Sequence, residues 1–166
     1  NRMMEAIDSE INKNQKNTKK LLTQQQTMEH MANFDALTEL PNRNSFMQSL
    51  KTCLASAENN ASNLSLMFID LDGFKDVNDN YGHAIGDKLL IYVSKRMEKC
   101  LRDGDILSRL GGDEFIILLA NNHDNNTVMS ISERILLELN YPFHIDSWSI
   151  NISASIGIAN AKDSNF

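Results

Sequence analysis

Apolar and polar residues recur along this chain with two different periods, which divide it into predicted helices and strands. Apolar residues three or four positions apart predict amphipathic helices over residues 44–57, 86–101 and 126–140. Short apolar runs predict buried strands over residues 64–70, 106–110 and 115–120. Between residues 148 and 158 apolar and polar residues alternate strictly, which predicts one strand with a single face in the core.

The strands predicted at 106–110 and 115–120 are separated only by Gly111-Gly112-Asp113-Glu114. Such a spacing predicts a β-hairpin, because glycine adopts the positive φ that tight turns require. Helices therefore interleave with strands, and a hairpin lies in the middle of the order. The predicted fold class is a mixed α/β (α+β) sandwich, with helices flanking a central, mostly antiparallel sheet.

Residues 1–33 differ from the rest, since they are rich in Asn, Gln, Lys and Met and contain neither Gly nor Pro. They predict one long N-terminal helix that precedes a domain spanning 34–166. The seam of a 4-3 heptad spacing contains apolar and polar members, namely Ile7, Ile11, Leu21 and Met28, with Asn14, Thr18 and Gln25. This weak seam leaves two interpretations open, a coiled coil with a second copy or a solvated helix.

Charge and composition exclude several classes of function. The net charge of −6 disfavours a sequence-independent grip on DNA or RNA, so we expect no nucleic-acid partner. The two cysteines have no CxxC spacing, and no apolar run reaches membrane-spanning length. We therefore expect a cytoplasmic domain. Because the chain begins with Asn1, we also expect it to be a piece of a longer protein.

Two acidic pairs lie at predicted strand ends. Asp70 and Asp72 close the strand at 64–70, and Asp113-Glu114 lies at the tip of the hairpin. Adjacent strands would bring these ends together, and carboxylates with substrate phosphates are the usual ligands of Mg²⁺. The same residues are equally explained as turn formers or a solvated strand end. Spacing alone leaves both interpretations open.

Four motifs in one order resemble the GGDEF family of diguanylate cyclases. The signature itself is Gly111-Gly112-Asp113-Glu114-Phe115. The other segments similar to the family are 35–43 (DALTELPNR), 70–87 (DLDGFKDVNDNYGHAIGD) and 155–159 (SIGIA). The resemblance covers about residues 34–166 and implies a fold like the palm domain of nucleotidyl cyclases and polymerases. We expect the family's closing helix, which carries basic residues for the terminal phosphates, to be absent from this chain.

The resemblance implies an enzyme that condenses two GTP into cyclic di-GMP and two pyrophosphates. It implies two Mg²⁺ (or Mn²⁺) ions bound by Asp70, the carbonyl of Leu71, Asp113 and Glu114, with Asp113 and Glu114 also catalytic. Each protomer binds one GTP, so a homodimer is required for catalysis. An upstream sensor domain in the parent protein is a further expected partner. The domain itself is expected in the cytoplasm, in a parent protein that is either cytoplasmic or anchored to the inner membrane.

The resemblance also implies a substrate-binding set consisting of Phe74, Lys75, Asn78, Asp87, Gly111 and Gly112. A carboxylate and an amide suit guanine, because its N1–H and 2-amino group donate together. From the residues alone, Asn78 is equally a turn or capping residue, and Asp87 an acid in the first turn of a helix. Lys75 is equally a solvated lysine.

Five residues separate the segment Arg102-Asp-Gly-Asp105 from Gly111. By itself such a spacing usually indicates a surface ion pair. Its offset from the signature resembles the family's RxxD inhibitory site, which implies that Arg102 and Asp105 bind cyclic di-GMP and limit its synthesis. A competing hypothesis is a non-catalytic receptor for cyclic di-GMP, and a third is a dimerisation transmitter that carries the domain as cargo.

Overall fold

The structure, a computed structural model, describes residues 2–60, 64–120 and 124–160. Within these ranges the chain forms five helices and six strands. The helices are α1 (Arg2–Asn33), α2 (Arg43–Asn60), α3 (Phe74–Tyr81), α4 (His83–Lys99) and α5 (Asn125–Asn140). The strands are β1 (Ser65–Asp72), β2 (Ile106–Gly111), β3 (Glu114–Leu119), β4 (Phe143–Ile145), β5 (Trp148–Ile150) and β6 (Ser153–Asn160).

Four strands form one antiparallel sheet in the order β2-β3-β1-β6. β1 is central, and its residues alternate between buried and exposed, as expected when its two faces are covered unequally. β4 and β5 pair separately as a short hairpin. The mixed α/β fold with a mostly antiparallel sheet and flanking helices, preceded by a long N-terminal helix, is thus confirmed.

The two faces of the sheet carry separate apolar cores. On one face α3, α4 and α5 pack on inward residues such as Met67, Ile69 and Ile117. On the other face α2 places Phe46 against Ile116 and Leu118. The aromatic ring of Phe68, in the middle of β1 on this second face, is 50% exposed. The side of this face near β1 and β6 therefore stays open beside the end of β1.

Two details of the sequence prediction were wrong. The alternating segment 148–158 is not one strand, because β5 ends at Ile150 and β6 starts at Ser153. β5 leaves the main sheet to pair with β4, and alternation alone does not register a change of partner. The short helix α3 was not predicted, because eight residues rich in Asn and Asp give a weak helical signal.

The joint between α1 and α2 is held by the side chain of Asn42. Its amide nitrogen donates to the carbonyls of Ala32 at 3.0 Å and Met31 at 3.4 Å, near the end of α1. Its amide oxygen accepts from the Ser45 backbone nitrogen at 3.0 Å, which caps α2. One side chain thus fixes the exit of α1 to the start of the domain. None of the described helices is long and apolar enough to cross a membrane.

Candidate functional site

The acidic strand ends lie together at one end of the sheet. Asp70 of β1 is directly opposite Glu114 of β3 in the antiparallel register. Asp113 precedes Glu114 in the tight turn that joins β2 to β3. The chain therefore brings an acidic residue of β1 next to the acidic pair of the hairpin, which the spacing of the motifs had suggested.

Asp72 has a different environment from Asp70. Its carboxylate accepts hydrogen bonds from the hydroxyls of Ser153 at 3.1 Å and Ser155 at 2.9 Å, both on β6. These bonds fasten the end of β1 to its outer neighbour. Asp72 is thus explained as a structural residue, and it provides a natural comparison for Asp70.

Negative charges converge on Asp70. Partial desolvation raises the pKa of the Asp70 carboxyl, and the nearby carboxylates of Asp113, Glu114 and Asp72 raise it further. Mutual repulsion of this kind is relieved when a cation binds between the acids. In the described part of the chain, no group of three or more His, Cys, Asp or Glu side chains is arranged to hold a metal ion by itself. Oxygen donors that leave places for phosphate oxygens fit Mg²⁺.

The strand pairing places the backbone of Leu71 at the acidic end of the sheet. Pairing between β1 and β3 ends at Asp70 and Glu114, whereas pairing between β1 and β6 continues to Asp72 and Ser153. Leu71 therefore lies just beyond the end of β3. Its side chain is buried in the core, so only its backbone is available as a ligand.

Helix α3 starts immediately after the acidic strand end. Its N-cap, Gly73, has a φ of 80° and offers no side-chain cap to the helix. The first backbone N–H groups of α3 are therefore oriented to bind an anion, as at other helix N-termini. Phe74 is buried and anchors the helix, while Lys75 is exposed. At Phe74 only the backbone is placed to contact a ligand.

Asn78 and Asp87 lie on two helices that touch at Gly86. Gly86 is buried, and a methyl group added to it would overlap the side-chain amide of Asn78 and come close to the ring of Phe74. The missing side chain thus lets α3 and α4 approach and seats the Asn78 amide one residue from Asp87. Asn78 is half-buried and Asp87 is exposed.

Gly86→Ala should displace the Asn78 amide, lower stability and weaken the guanine nucleotide binding that the family resemblance implies. Overpacking of this kind costs about 1–3 kcal/mol of unfolding free energy. In the double variant Gly86→Ala/Asn78→Ala the clash is removed, so thermal unfolding should return towards that of Asn78→Ala alone while nucleotide binding stays weak. Additive losses of stability in the double variant would show that Gly86 does not act through Asn78.

The hairpin turn is held by an arginine that the sequence analysis had not singled out. Arg109 of β2 donates from Nε at 3.0 Å and Nη2 at 2.7 Å to the carbonyl of Gly112. Its Nη1 donates to both oxygens of Asp35, at 3.0 and 2.9 Å. Gly111 and Gly112 have φ of 141° and 54°, and no atom lies within 4 Å of where a Cβ would be. The turn is therefore open above its backbone.

Arg102 and Asp105 lie in the loop between α4 and β2. The Arg102 side chain is 54% exposed and the Asp105 side chain only 1%. Asp105 accepts from the Arg102 backbone nitrogen at 3.2 Å, so its carboxylate also shapes the loop. A groove of about 470 Å³ next to them is lined as well by α5, including a second guanidinium from Arg134. Arg134 donates to the carbonyl of Cys100.

Arg109 and Arg134 were missed because each lies in a segment assigned to the core by its apolar pattern. A charged residue inside a buried strand is itself a signal, since such a residue needs a charged partner. Arg109 interrupts the apolar run of β2 in this way. No sequence signal places Arg134 in the same groove as Arg102, because its position depends on how α5 packs.

Residues 32–166 match the protein family described as diguanylate cyclase, GGDEF domain. The chain belongs to this family. It is 38% identical to the diguanylate cyclase TpbB of Pseudomonas aeruginosa over 134 residues, which are 80% of the chain and 31% of TpbB. It is 40% identical to the cyclic di-GMP phosphodiesterase PdeR of Escherichia coli, covering 81% of the chain and 20% of PdeR. The chain thus spans less than a third of either relative.

Solved structures of GGDEF domains have the same architecture. The GGDEF domain of TpbB from Pseudomonas aeruginosa superposes with a TM-score of 0.76 at 37% identity, covering 78% of this chain and 76% of the other. The coiled coil and GGDEF domain of DgcB from Caulobacter crescentus, in complex with c-di-GMP, gives 0.79 at 25% identity, covering 93% and 82%. The second structure matches a larger share of this chain than the first.

Proposed function

We propose that this GGDEF domain, residues 34–166, is an active diguanylate cyclase that condenses two GTP into cyclic di-GMP and releases two pyrophosphates. The observation that carries this function is the meeting of Asp70 with Asp113 and Glu114 at one end of the sheet. Membership of the family alone does not establish this activity, since some relatives bear the name of a cyclic di-GMP phosphodiesterase.

The acidic end of the sheet would hold two Mg²⁺ (or Mn²⁺) ions through Asp70, the carbonyl of Leu71, Asp113 and Glu114. Bound there, the metal ions would supply charge for the attacking hydroxyl and the leaving pyrophosphate. Asp113 is the candidate to take the proton of the 3′-hydroxyl. The raised pKa of Asp70 supports cation binding, because a neighbouring cation removes the repulsion among these acids.

The substrate would lie across α3 and the hairpin. Backbone groups at Phe74, together with Lys75, would face the phosphates, as the N-terminal end of α3 favours negative charge. Gly111 and Gly112 would let the nucleotide approach the open turn. The close approach of Gly86 to the Asn78 amide keeps Asn78 near Asp87. At the edge of guanine the Asp87 carboxylate would accept hydrogen bonds, and the Asn78 amide could both donate and accept.

Base selectivity follows from this arrangement. GTP should bind more tightly than ATP, because guanine offers the Asp87 carboxylate two donors that adenine lacks, and hydrogen bonds to a charged group contribute about 1.5–3 kcal/mol. Asp87→Asn should reduce this preference, whereas Lys88→Ala, an exposed neighbour paired with Asp146 at 2.7 Å, should keep it. Calorimetric titrations with both nucleotides measure the difference. Equal affinities of the unaltered protein for GTP and ATP would remove Asn78 and Asp87 from base recognition.

Catalysis would take place between two copies, because each protomer offers one nucleotide site. The 3′-hydroxyl of each GTP would attack the α-phosphate of the other in line. Helix α1 is a suitable lever for an upstream sensor, with exposed Ile11, Leu21 and Met28 on its surface. The fit to a structure named for its coiled coil supports pairing of α1 with a second copy.

Arg102 and Asp105 would bind cyclic di-GMP and inhibit the enzyme. The groove beside them places two guanidinium groups near a buried carboxylate, a combination suited to phosphates and a guanine edge. β2 starts at Ile106, directly after Asp105, and ends in the glycine turn. Inhibition requires the product to bind an inactive arrangement more tightly than an active one.

Magnesium-dependent nucleotide binding distinguishes this enzyme from its principal rival, a receptor that only senses cyclic di-GMP. The cyclase should bind GTP in calorimetric titrations with Mg²⁺ and lose most of that affinity in EDTA. A receptor should bind cyclic di-GMP equally well with and without Mg²⁺ and show no metal-dependent affinity for GTP. The second result would overturn the proposed function.

A further inference from the structure

Arg109 connects two parts of the chain that are distant in sequence. Its guanidinium donates to the Gly112 carbonyl from two nitrogens and to the Asp35 carboxylate from the third. The Arg109 side chain is 10% exposed and that of Asp35 is 19% exposed. Bonds of this kind between ionised groups are stronger and more directional than neutral ones, and shielding from water strengthens them.

The Asp35 carboxylate is also fixed by hydrogen bonds that do not involve Arg109. Its carboxylate accepts from the backbone nitrogen and the hydroxyl of Thr38, both at 2.8 Å. Burial by itself would raise the pKa of the Asp35 carboxyl, but the hydrogen bonds from Thr38 and Arg109 bring it below its usual value. The carboxylate is therefore charged at neutral pH and remains an ionic partner for the guanidinium.

The segment that carries Asp35 is anchored independently of the arginine side chain. The Arg109 backbone nitrogen donates to the Pro41 carbonyl at 3.1 Å, and the Asp35 nitrogen donates to the Leu40 carbonyl at 2.8 Å. The joint therefore stays attached to β2 when the Arg109 side chain is shortened. Shortening the side chain removes the hydrogen bonds from Arg109 to the carbonyl of Gly112, the residue before Asp113.

We propose that Arg109 is a positioning residue, held by Asp35, that fixes the Gly111–Gly112 turn and thereby the place of Asp113 and Glu114. The φ values of 141° and 54° at the two glycines belong to a backbone region that is easily deformed without such a restraint. Lysine cannot replace arginine here, because one ammonium does not span a carbonyl and a carboxylate with the same planar fork.

Arg96 provides a matched control for the test. Its guanidinium also donates to backbone carbonyls, those of Glu138, Tyr141 and Pro142. It lies over the ring of Phe143, the first residue of β4. Arg96 lies in the last turn of α4, nine residues after Asp87 and at the opposite end of that helix. Arg96→Lys therefore reports what the loss of a structural arginine does to folding and, through folding, to turnover.

The experiment compares Arg109→Lys, Asp35→Asn and Arg96→Lys in the full chain. Arg109→Lys should speed amide hydrogen exchange at Gly112–Glu114 by at least about tenfold, while Arg96→Lys leaves these amides unchanged. Asp35→Asn should give a smaller effect in the same direction. Unchanged exchange in Arg109→Lys would overturn the positioning role.

The consequence for catalysis rests on the proposed cyclase activity and is measured separately. Arg109→Lys should lower kcat by about ten- to a hundredfold, the cost of misplacing reacting groups by about 1 Å, with a KM for GTP within about threefold of the unaltered value. A kcat equal to that of Arg96→Lys would overturn the catalytic role. If the unaltered protein makes no cyclic di-GMP, the proposed function fails, and hydrogen exchange still decides whether Arg109 positions the turn.

Discussion

Asp70→Asn is expected to abolish cyclic di-GMP formation and the Mg²⁺-dependent part of GTP binding. The asparagine keeps the size of the side chain and removes the charge that the metal site needs. The fold should remain intact, since the Asp70 side chain is exposed at the end of β1. Its thermal stability without metal should equal or exceed that of the unaltered protein, because one of several mutually repelling carboxylates is gone.

Asp72→Asn is the matched control, two residues further on the same face of the same strand. Its carboxylate binds Ser153 and Ser155, so its loss should lower stability modestly and leave turnover within about tenfold of the unaltered value. Chromatography of the products and thermal unfolding measure both effects. Near-normal product formation by Asp70→Asn would remove Asp70 from the mechanism.

In the proposed cyclase, Arg102→Ala is expected to remove the proposed inhibition by cyclic di-GMP. Removal of a charged hydrogen-bonding group should weaken cyclic di-GMP binding by about 1.5–3 kcal/mol, which corresponds to roughly ten- to 150-fold. Initial rates at low product should survive, because Arg102 lies in the loop before β2 and outside the acidic end of the sheet. Progress curves with added cyclic di-GMP measure the inhibitory concentration directly.

Lys99→Ala serves as the control for Arg102→Ala. Lys99 is an exposed cation three residues earlier, at the end of α4, and it is not among the residues that line the groove. Its removal should change the inhibitory concentration by less than about twofold, since it tests only the general positive charge of this region. If Arg102→Ala and the unaltered protein are inhibited at the same concentration, the product site lies elsewhere.

Much of the site could be predicted from sequence because it is carried by short motifs at strand ends. Asp70 and Glu114 are each the terminal member of a strong apolar run, and a hairpin between neighbouring strands leaves few ways to arrange them. The longer helices were equally predictable, as the α5 bounds of Asn125–Asn140 differ from the expected range by one residue. Local periodicity decides such elements.

The tertiary contacts that hold the site in shape could not be predicted from the sequence. The hydrogen bonds from Arg109 to Asp35 join residues that are far apart in sequence, and no local pattern around either residue indicates its partner. The close approach of the Asn78 amide to Gly86 depends on how closely α3 and α4 approach. β5 pairs with β4, whereas β6 pairs with β1. This change of pairing partner arises from tertiary packing, which an alternating sequence pattern does not report.

Product stoichiometry tests the central claim most directly. The protein is incubated with GTP and Mg²⁺, and cyclic di-GMP and pyrophosphate are quantified by chromatography and a coupled assay, with Asp70→Asn as the blank. We predict one cyclic di-GMP for every two pyrophosphates, with no turnover of ATP. Cyclic di-GMP binding without any product from GTP, under conditions where the protein is folded, would contradict the assignment of this domain as a cyclase.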